Sequence, residues 1–330
     1  MNRLLLIALL FFFVSGCQSS DDSIERPDVS GIPVDVDIIR LEQELFSATS
    51  KDEIRSFLEQ NKLFAQNFLF LDQYPHDSIV VNQLYALINN PSLDTVYQES
   101  QQVFGDMEQI RQDFATAFKF IKYHYPEFEP PVIYTMVTGF GNDMYVSEDM
   151  IVIGLDYFLG EGATYRPLQL PDYILRRYSP DHLVPSTILL LSQEFNKVQP
   201  DDKSMLADMI YYGKSFYFTE YVLPEIPDSL IIGYTAEEMK GLWVNEKLVW
   251  NHFLKNELLY ETNHIVKKKY IDERPATLEV GNKAPGRLAQ WLGWQLVRAY
   301  MNEKEEVSLP ELMATVEPVK ILEESDYDPE

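Results

Sequence analysis

The fold is decided by residues 131–157, which read PVIYTMVTGFGNDMYVSEDMIVIGLDY. Two parts of this stretch, 131–138 and 144–154, are rich in Val, Ile, Tyr and Met, residues that fit the pleated, half-buried surface of a sheet. The residues between them, 139–143, include two Gly, one Asn and one Asp, which favour a turn. The stretch therefore predicts neighbouring strands of one sheet.

Helical patterns dominate the chain on both sides of this stretch. Upstream, a short strand is predicted over 36–41, and a helix over 78–88 that Asn89-Asn90-Pro91 would end. Apolar residues over 103–121 recur at steps of three and four, which predicts an amphipathic helix that ends near Pro126. Downstream, the same kind of pattern predicts four more helices, over 184–198, 203–222, 235–259 and 286–301.

Two of these downstream helices also carry start signals. Thr235 is followed three residues later by Glu238, the spacing of a capping box. Pro285 lies where the last helix is predicted to open, a position at which its missing N–H costs nothing.

Composition limits the fold class and the kinds of partner. Hydrophobic residues make up 46% and aromatic residues 13% of the chain, which excludes disorder over most of its length. Acidic residues outnumber basic ones by 52 to 27. Such a surface repels phosphate, so we expect no nucleic-acid partner and no direct binding to anionic lipid head groups. With the pattern of elements, this predicts a helix-dominated α+β fold, one domain over 35–330 with a small sheet.

The N-terminus has the organisation of a secretory signal peptide over residues 1–16. Arg3 is followed by eleven apolar residues and then by small residues before Cys17. Eleven residues of helix span only about 16 Å, roughly half of a bilayer core, so a permanent transmembrane anchor is not expected. Removing residues 1–16 leaves 26 basic against 52 acidic side chains, a formal charge of −26.

The residues that end this segment, 14–17, resemble a bacterial lipobox. In a lipobox the cysteine receives a diacylglycerol, acquires acyl chains such as palmitate, and becomes the new N-terminus. Several acyl chains hold a protein stably to a bilayer, so we expect lipidation of Cys17 and a polar, flexible tether over 17–34. Gln18 replaces the Asp typical of inner-membrane retention, which favours the outer membrane. The alternative is a secreted protein with a chance cysteine, although no second cysteine exists in the chain to pair with it.

One arrangement of polar residues suggests a known catalytic scaffold. The strand that ends at Gly154 is followed by a predicted helix with Gln193, Glu194 and Lys197, and then by a second helix with Tyr212. This order resembles zincin metallopeptidases, in which two His and a Glu on one helix, with a third ligand further on, form the zinc site. Gln193 and Lys197 stand where the two His would be, Tyr212 lies near the third ligand, and only Glu194 matches.

These side chains cannot hold zinc between them, because zinc prefers imidazole, thiolate or carboxylate ligands. We therefore expect either a degenerate zincin-like fold with a dead site or an ordinary helix on which 193–194 form a polar face. In both cases the sequence predicts no metal, no other cofactor and no catalytic residue.

Several strings of the chain resemble the GldB family of gliding-motility lipoproteins. They follow one another in the order of the family from Cys17 to about Met313, and they are 154–160, 209–214, 227–235, 256–260, 285–287 and 291–301. The resemblance implies a cell envelope of the Bacteroidota, a need for the protein in gliding and in the secretion machinery linked to it, and no catalytic activity.

Three functional hypotheses stay open from the sequence. The first is a non-catalytic envelope lipoprotein, a pseudoenzyme if the scaffold is zincin-like, that docks other motility or secretion proteins. The second is a membrane-tethered metal-dependent hydrolase that uses Glu194, with Asp156 as a further carboxylate. The third is a solute-binding lipoprotein. The missing His–His and His–carboxylate ligand spacings favour the first.

Overall fold

The computed structural model describes residues 24–329. The predicted signal peptide over 1–16 and the predicted lipidation of Cys17 lie outside the described residues.

Within residues 24–329 the chain forms four strands and sixteen α-helices. The strands are β1 Ile38–Arg40, β2 Val132–Met136, β3 Met144–Val146 and β4 Met150–Gly154. The helices are α1 Leu41–Ser47, α2 Lys51–Gln60, α3 Lys62–Asn67, α4 Ser78–Ile88, α5 Pro91–Phe104, α6 Glu108–His124, α7 Asp172–Leu175, α8 Pro180–Leu191, α9 Met205–Val222, α10 Asp228–Ile232, α11 Ala236–Val244, α12 Glu246–Lys255, α13 His264–Ile271, α14 Leu288–Glu303, α15 Leu309–Ala314 and α16 Pro318–Glu324. None of the helices in this range combines the length and apolar character that crossing a bilayer requires. The prediction of a helix-dominated α+β domain with a small sheet is confirmed.

The sheet is mixed, and its strand order is β1-β2-β4-β3. β2 pairs in parallel with β1 and with β4, while β3 pairs antiparallel with β4. The prediction that the two stretches lie in one sheet as neighbours is confirmed for β2 and β4, while the stretch 144–154 forms two antiparallel strands, β3 and β4. The two parallel strands β2 and β4 end at the same edge of the sheet, next to the turn over 139–143.

Helices cover both faces of this sheet. Side chains alternate along a strand, so Ile133 and Ile151 join one apolar core while Tyr134 and Val152 join another. The smaller core lies between the sheet and α1–α4. The larger one contains residues of α6, α8, α9 and α14 and holds most of the buried aromatic side chains.

The main helical layer is built on the crossing of α9 and α14, which meet at two glycines. A Cβ added to Gly213 would lie 2.3 Å from the carbonyl oxygen of Gly293, and one added to Gly293 would lie 1.9 Å from that of Met209. The two backbones are therefore in direct contact. Trp291 and Trp294 of α14 are fully buried beside this crossing.

The predicted helices agree with the structure except where the chain turns inside or at the end of a pattern. α4 covers the predicted 78–88, and the capping box of Thr235 and Glu238 is present. The predicted 103–121 helix is broken by Gly105, whose φ of +51° ends α5 before α6 begins. The predicted 235–259 helix is interrupted at Asn245. α14 begins at Leu288, because Arg287 has a φ of +60°, so Pro285 lies outside it.

Candidate functional site

The residues proposed for a degenerate zincin site do not share a helix. The sequence predicts one helix over 184–198, but α8 ends at Leu191, a 3-10 turn covers Ser192–Glu194, and Lys197 lies in the following loop. At the end of α8 the Ser192 hydroxyl donates a hydrogen bond to the Leu189 carbonyl at 2.7 Å, a side chain-to-backbone bond that competes with continuation of the helix. The prediction that 193–197 form one helical face is therefore wrong.

The four positions also line different surfaces. Gln193 and Tyr212 border one cavity of about 610 Å³, whereas Lys197 borders another of about 470 Å³. Glu194 is exposed and borders neither of these cavities. The structure thus brings two of the four residues together, and neither of these two is a good zinc ligand.

The Gln193–Tyr212 cavity contains an arginine pair that shares one carboxylate. Arg177 lies 2.8 Å and Arg287 lies 3.3 Å from Oε1 of Glu273. Arg287 is buried, donates to the Ile232 carbonyl and packs over a tyrosine ring. Burial lowers the pKa of Arg287, and the charge of Arg177 acts in the same direction. This arrangement ties loops together by guanidinium hydrogen bonds.

Asp156, the second carboxylate of the hydrolase hypothesis, organises the turn at the end of the sheet. It is 1% exposed and accepts hydrogen bonds from the Thr138 amide (3.0 Å), the Thr138 hydroxyl (3.0 Å) and the Phe140 amide (2.5 Å). Burial raises the pKa of Asp156, while these donors oppose the rise. Its oxygens are occupied by the turn, and Glu194 is exposed to solvent elsewhere. Within residues 24–329 no three His, Cys, Asp or Glu side chains are grouped as metal ligands.

A buried lysine, Lys214 of α9, closes the loop that carries Lys197. Its Nζ donates to the carbonyl oxygens of Lys197 (2.7 Å), Met313 (3.2 Å) and Thr315 (2.8 Å). Burial lowers its pKa to about 8. Sequence reasoning missed this role, although a single Lys inside the apolar run 205–222 is the signal that could have revealed it.

A second group that sequence reasoning missed surrounds Arg298 of α14. Its guanidinium lies 2.8 Å from Glu220 and 2.8 Å from Asp228, and its carbon is 4.1 Å from the centroid of the Trp294 ring. Burial would lower the pKa of Arg298, but Glu220 and Asp228 outweigh that effect and raise it. The i, i+4 spacing of Trp294 and Arg298 in the 291–301 string is the sequence signal of this stack.

This group forms the floor of a cavity of about 510 Å³, here called the acidic recess. Glu220, Asp228 and Glu246 line it with Arg298, a formal charge of −2. Glu246 accepts from the Tyr327 hydroxyl at 2.6 Å, and burial raises the pKa of Glu246. The remaining lining residues are Ile24, Tyr217, Trp243, Gln295, Ala299, Asn302 and Tyr327.

The described start of the chain lies beside the acidic recess. Arg26 donates to the carbonyl oxygens of Glu220 (3.0 Å) and Tyr221 (2.9 Å) at the end of α9, where helical carbonyls have no partner within the helix. Three apolar side chains of the segment pack on the larger core, namely Ile24, Val29 and Val34. Where the sequence predicts a flexible tether, its described part, 24–34, lies on the domain.

A sequence model of the family described as gliding motility protein GldB matches residues 22–329. No curated protein and no solved structure matches the chain. The family match includes the sheet, both helical layers and all the sites described above.

Proposed function

Because the chain belongs to the GldB family of gliding motility proteins, we propose that it is a non-catalytic, membrane-anchored component of the gliding apparatus that works through protein contacts. As a member of this family, the protein is a gliding-motility lipoprotein of the cell envelope. The proposal adds lipidation at Cys17, the outer membrane as the anchoring bilayer, and a role in the secretion machinery linked to gliding. The family match over 22–329 is the observation that carries it.

The docking of the N-terminal segment supports a domain held close to the bilayer. Arg26 fixes the chain to the end of α9, and Ile24 lies seven residues after Cys17. Seven residues reach at most about 25 Å when fully extended. A lipid on Cys17 would therefore keep the acidic recess, which Ile24 lines, near the membrane surface and near other membrane proteins. Such confinement raises the effective concentration of partners and allows weak contacts to suffice.

The surface at the acidic recess has the composition of a contact site. Trp243, which lines the recess, is 43% exposed, and its neighbours Val244 and Leu248 are 76% and 55% exposed. Exposed apolar side chains next to a recess with a formal charge of −2 fit a partner protein that presents a basic residue beside an apolar one. A lipid head group fits less well, because its phosphate would be repelled by the recess. Binding should weaken as salt rises, since the attraction is partly between exposed charges.

Within residues 24–329, the positions of the hydrolase hypothesis do not line one common cavity, which supports contact rather than turnover. Gln193 and Lys197, the positions that would hold zinc ligands, border different cavities. Asp156 is enclosed by its own turn.

The test combines deletion with point variants expressed from the chromosome. Deletion should stop colony spreading, and a Cys17→Ala copy should lose acyl labelling and restore spreading poorly. Glu246→Gln removes one charge from the acidic recess and retains an acceptor for Tyr327, so we expect reduced spreading and fewer cross-linked envelope partners at low salt. Glu59→Gln is the matched control, because it removes the same charge from the exposed side of α2.

Normal gliding and secretion in the deletion strain would contradict the proposed function as a whole. Equal behaviour of Glu246→Gln and Glu59→Gln would contradict only the choice of surface. Labelled Cys17→Ala protein would contradict the lipid anchor.

A further inference from the structure

A cavity lies at the edge of the sheet where β2 and β4 end. Its volume is about 720 Å³, and its lining comes from the turn 139–143, the start of α5, the loop 164–170 and two tyrosines, Tyr157 and Tyr178. In open sheets with parallel strands, ligands bind in the crevice outside the carboxyl ends of those strands. Neither the family description nor the proposed function assigns a role to this cavity.

Aromatic rings form one wall of the cavity. The ring centroids of Phe140 and Tyr157 are 5.8 Å apart, and those of Tyr157 and Tyr178 are 5.3 Å apart. The Tyr157 hydroxyl donates to the Phe140 carbonyl at 2.8 Å, and the Tyr178 hydroxyl donates to Asp143. Both hydroxyls are thus engaged by the protein, which leaves the rings as the surface that a ligand can contact. Leu93 adds aliphatic surface from α5.

The turn that carries Phe140 is held in place before any ligand arrives. Gly139 and Phe140 have φ values of +69° and +60°, and the left-handed conformation is costly for a phenylalanine. Asp156 maintains it by accepting the Phe140 amide, as described above. A backbone strained in this way and fixed by a buried carboxylate is typical of a preorganised binding surface.

The cation that the cavity offers to a ligand is Arg166, although Asp143 in the same lining balances its formal charge. Arg166 lines the cavity and makes no ion pair within residues 24–329. Asp143, the carboxylate of the lining, already accepts from Tyr178 and, through Oδ1, from the Met144 amide at 2.8 Å. Leu168 lies two residues after Arg166, lines the same cavity and is 99% exposed, so the lining also offers a free apolar side chain.

We propose that this cavity binds a small ligand with an aromatic or branched apolar body and one carboxylate. The body packs against Phe140, Tyr157 and Tyr178, and the carboxylate forms charge-assisted hydrogen bonds with Arg166. Two kinds of molecule present this chemistry. One is a free small molecule with an aromatic group and a carboxylate, and the other is the C-terminal residue of a peptide. The inference is independent of the contact surface at the acidic recess.

Equilibrium dialysis of the purified lipoprotein in mild detergent tests the proposal. The probes are N-acetylphenylalanine, its carboxamide, and a hexapeptide that ends in a free phenylalanine. We expect saturable binding of N-acetylphenylalanine with a Kd of about 1 mM, reasonable for about fifteen non-hydrogen atoms. The carboxamide should bind about tenfold more weakly, because it cannot form the ion pair.

Three variants assign the binding to this cavity. Arg166→Gln should weaken binding of the carboxylate about tenfold and leave binding of the carboxamide unchanged. Leu168→Ser should weaken the binding of both probes a few-fold. The Leu168 side chain is too exposed to support the fold, so this change should leave the fold intact. Arg55→Gln removes the same charge from α2 and should bind like the wild type, which also corrects for partition of the probes into micelles.

The peptide identifies the source. Tighter binding of the hexapeptide than of N-acetylphenylalanine would support a peptide C-terminus, and binding of N-acetylphenylalanine alone would support a free carboxylate. The proposal is overturned if no probe binds saturably below about 10 mM, or if Arg166→Gln and the wild type bind the carboxylate equally.

Discussion

Replacing Gly293 by Ala should destabilise the domain, although the same change normally stabilises a helix. The new Cβ would lie 1.9 Å from the carbonyl oxygen and 2.4 Å from the carbonyl carbon of Met209. These are backbone atoms of α9, so no side-chain rotation can make room. α9 and α14 would have to move apart by more than 1 Å to restore an ordinary contact distance of about 3.4 Å.

The expected magnitude follows from two opposing terms. Forcing an extra methyl group into a packed core costs about 3 kcal/mol. Alanine regains about 1 kcal/mol relative to glycine through its higher helix propensity. The free energy of unfolding should therefore fall by about 2 kcal/mol, which lowers Tm by about 4 °C for a domain of this size.

Gly241→Ala is the matched control. Gly241 lies inside α11, and a Cβ added there meets nothing within 4 Å. That variant should gain about 0.5–1 kcal/mol. Urea unfolding followed by tryptophan fluorescence measures both variants, since Trp291 and Trp294 lie beside the crossing. If Gly293→Ala is as stable as the wild type, or if both variants shift in the same direction, direct contact between α9 and α14 is refuted.

Three further predictions concern single side chains. Lys214 has a folded pKa of about 8 against 10.5 for the exposed side chain. Between these values only the unfolded state keeps the proton, so the free energy of unfolding should rise with pH from about 8 to 10.5, and Lys214→Met should remove that slope in urea titrations. Arg26→Ala should free residues 24–34 from the domain. A nonspecific protease should then cleave this segment about tenfold faster than it does in the Arg55→Ala control. Equal cleavage rates in the two variants would contradict the docking of the segment by Arg26. Glu194→Gln should leave gliding intact and the purified protein should hold zinc well below one equivalent; stoichiometric zinc, with peptidase activity that this change abolishes, would favour the hydrolase hypothesis.

Local patterns in the sequence were enough to predict the fold class and most of the elements. α4 and α9 follow from apolar periodicity and end signals, and the capping box at Thr235 involves residues only three positions apart. The strands follow from β-branched and aromatic runs on either side of a Gly-rich turn. Such features depend on neighbours within one or two turns of chain, so a single sequence contains the information. The resemblance to the GldB family likewise rested on short strings, and the family match confirms it.

The sites depend on contacts between residues that lie far apart in the chain. Only the tertiary structure decided these contacts. α8 ends at Leu191, although the apolar pattern continues, and the loop that follows is held by Lys214, which bonds the carbonyl oxygens of Lys197 and Thr315. Arg26 satisfies the end of a helix nearly two hundred residues away. Gly213 and Gly293 are unremarkable in sequence, and their importance comes from the distance between two helix axes. Periodicity reports which face of an element is apolar, but the partner of that face is set by packing the whole chain into one close-packed core.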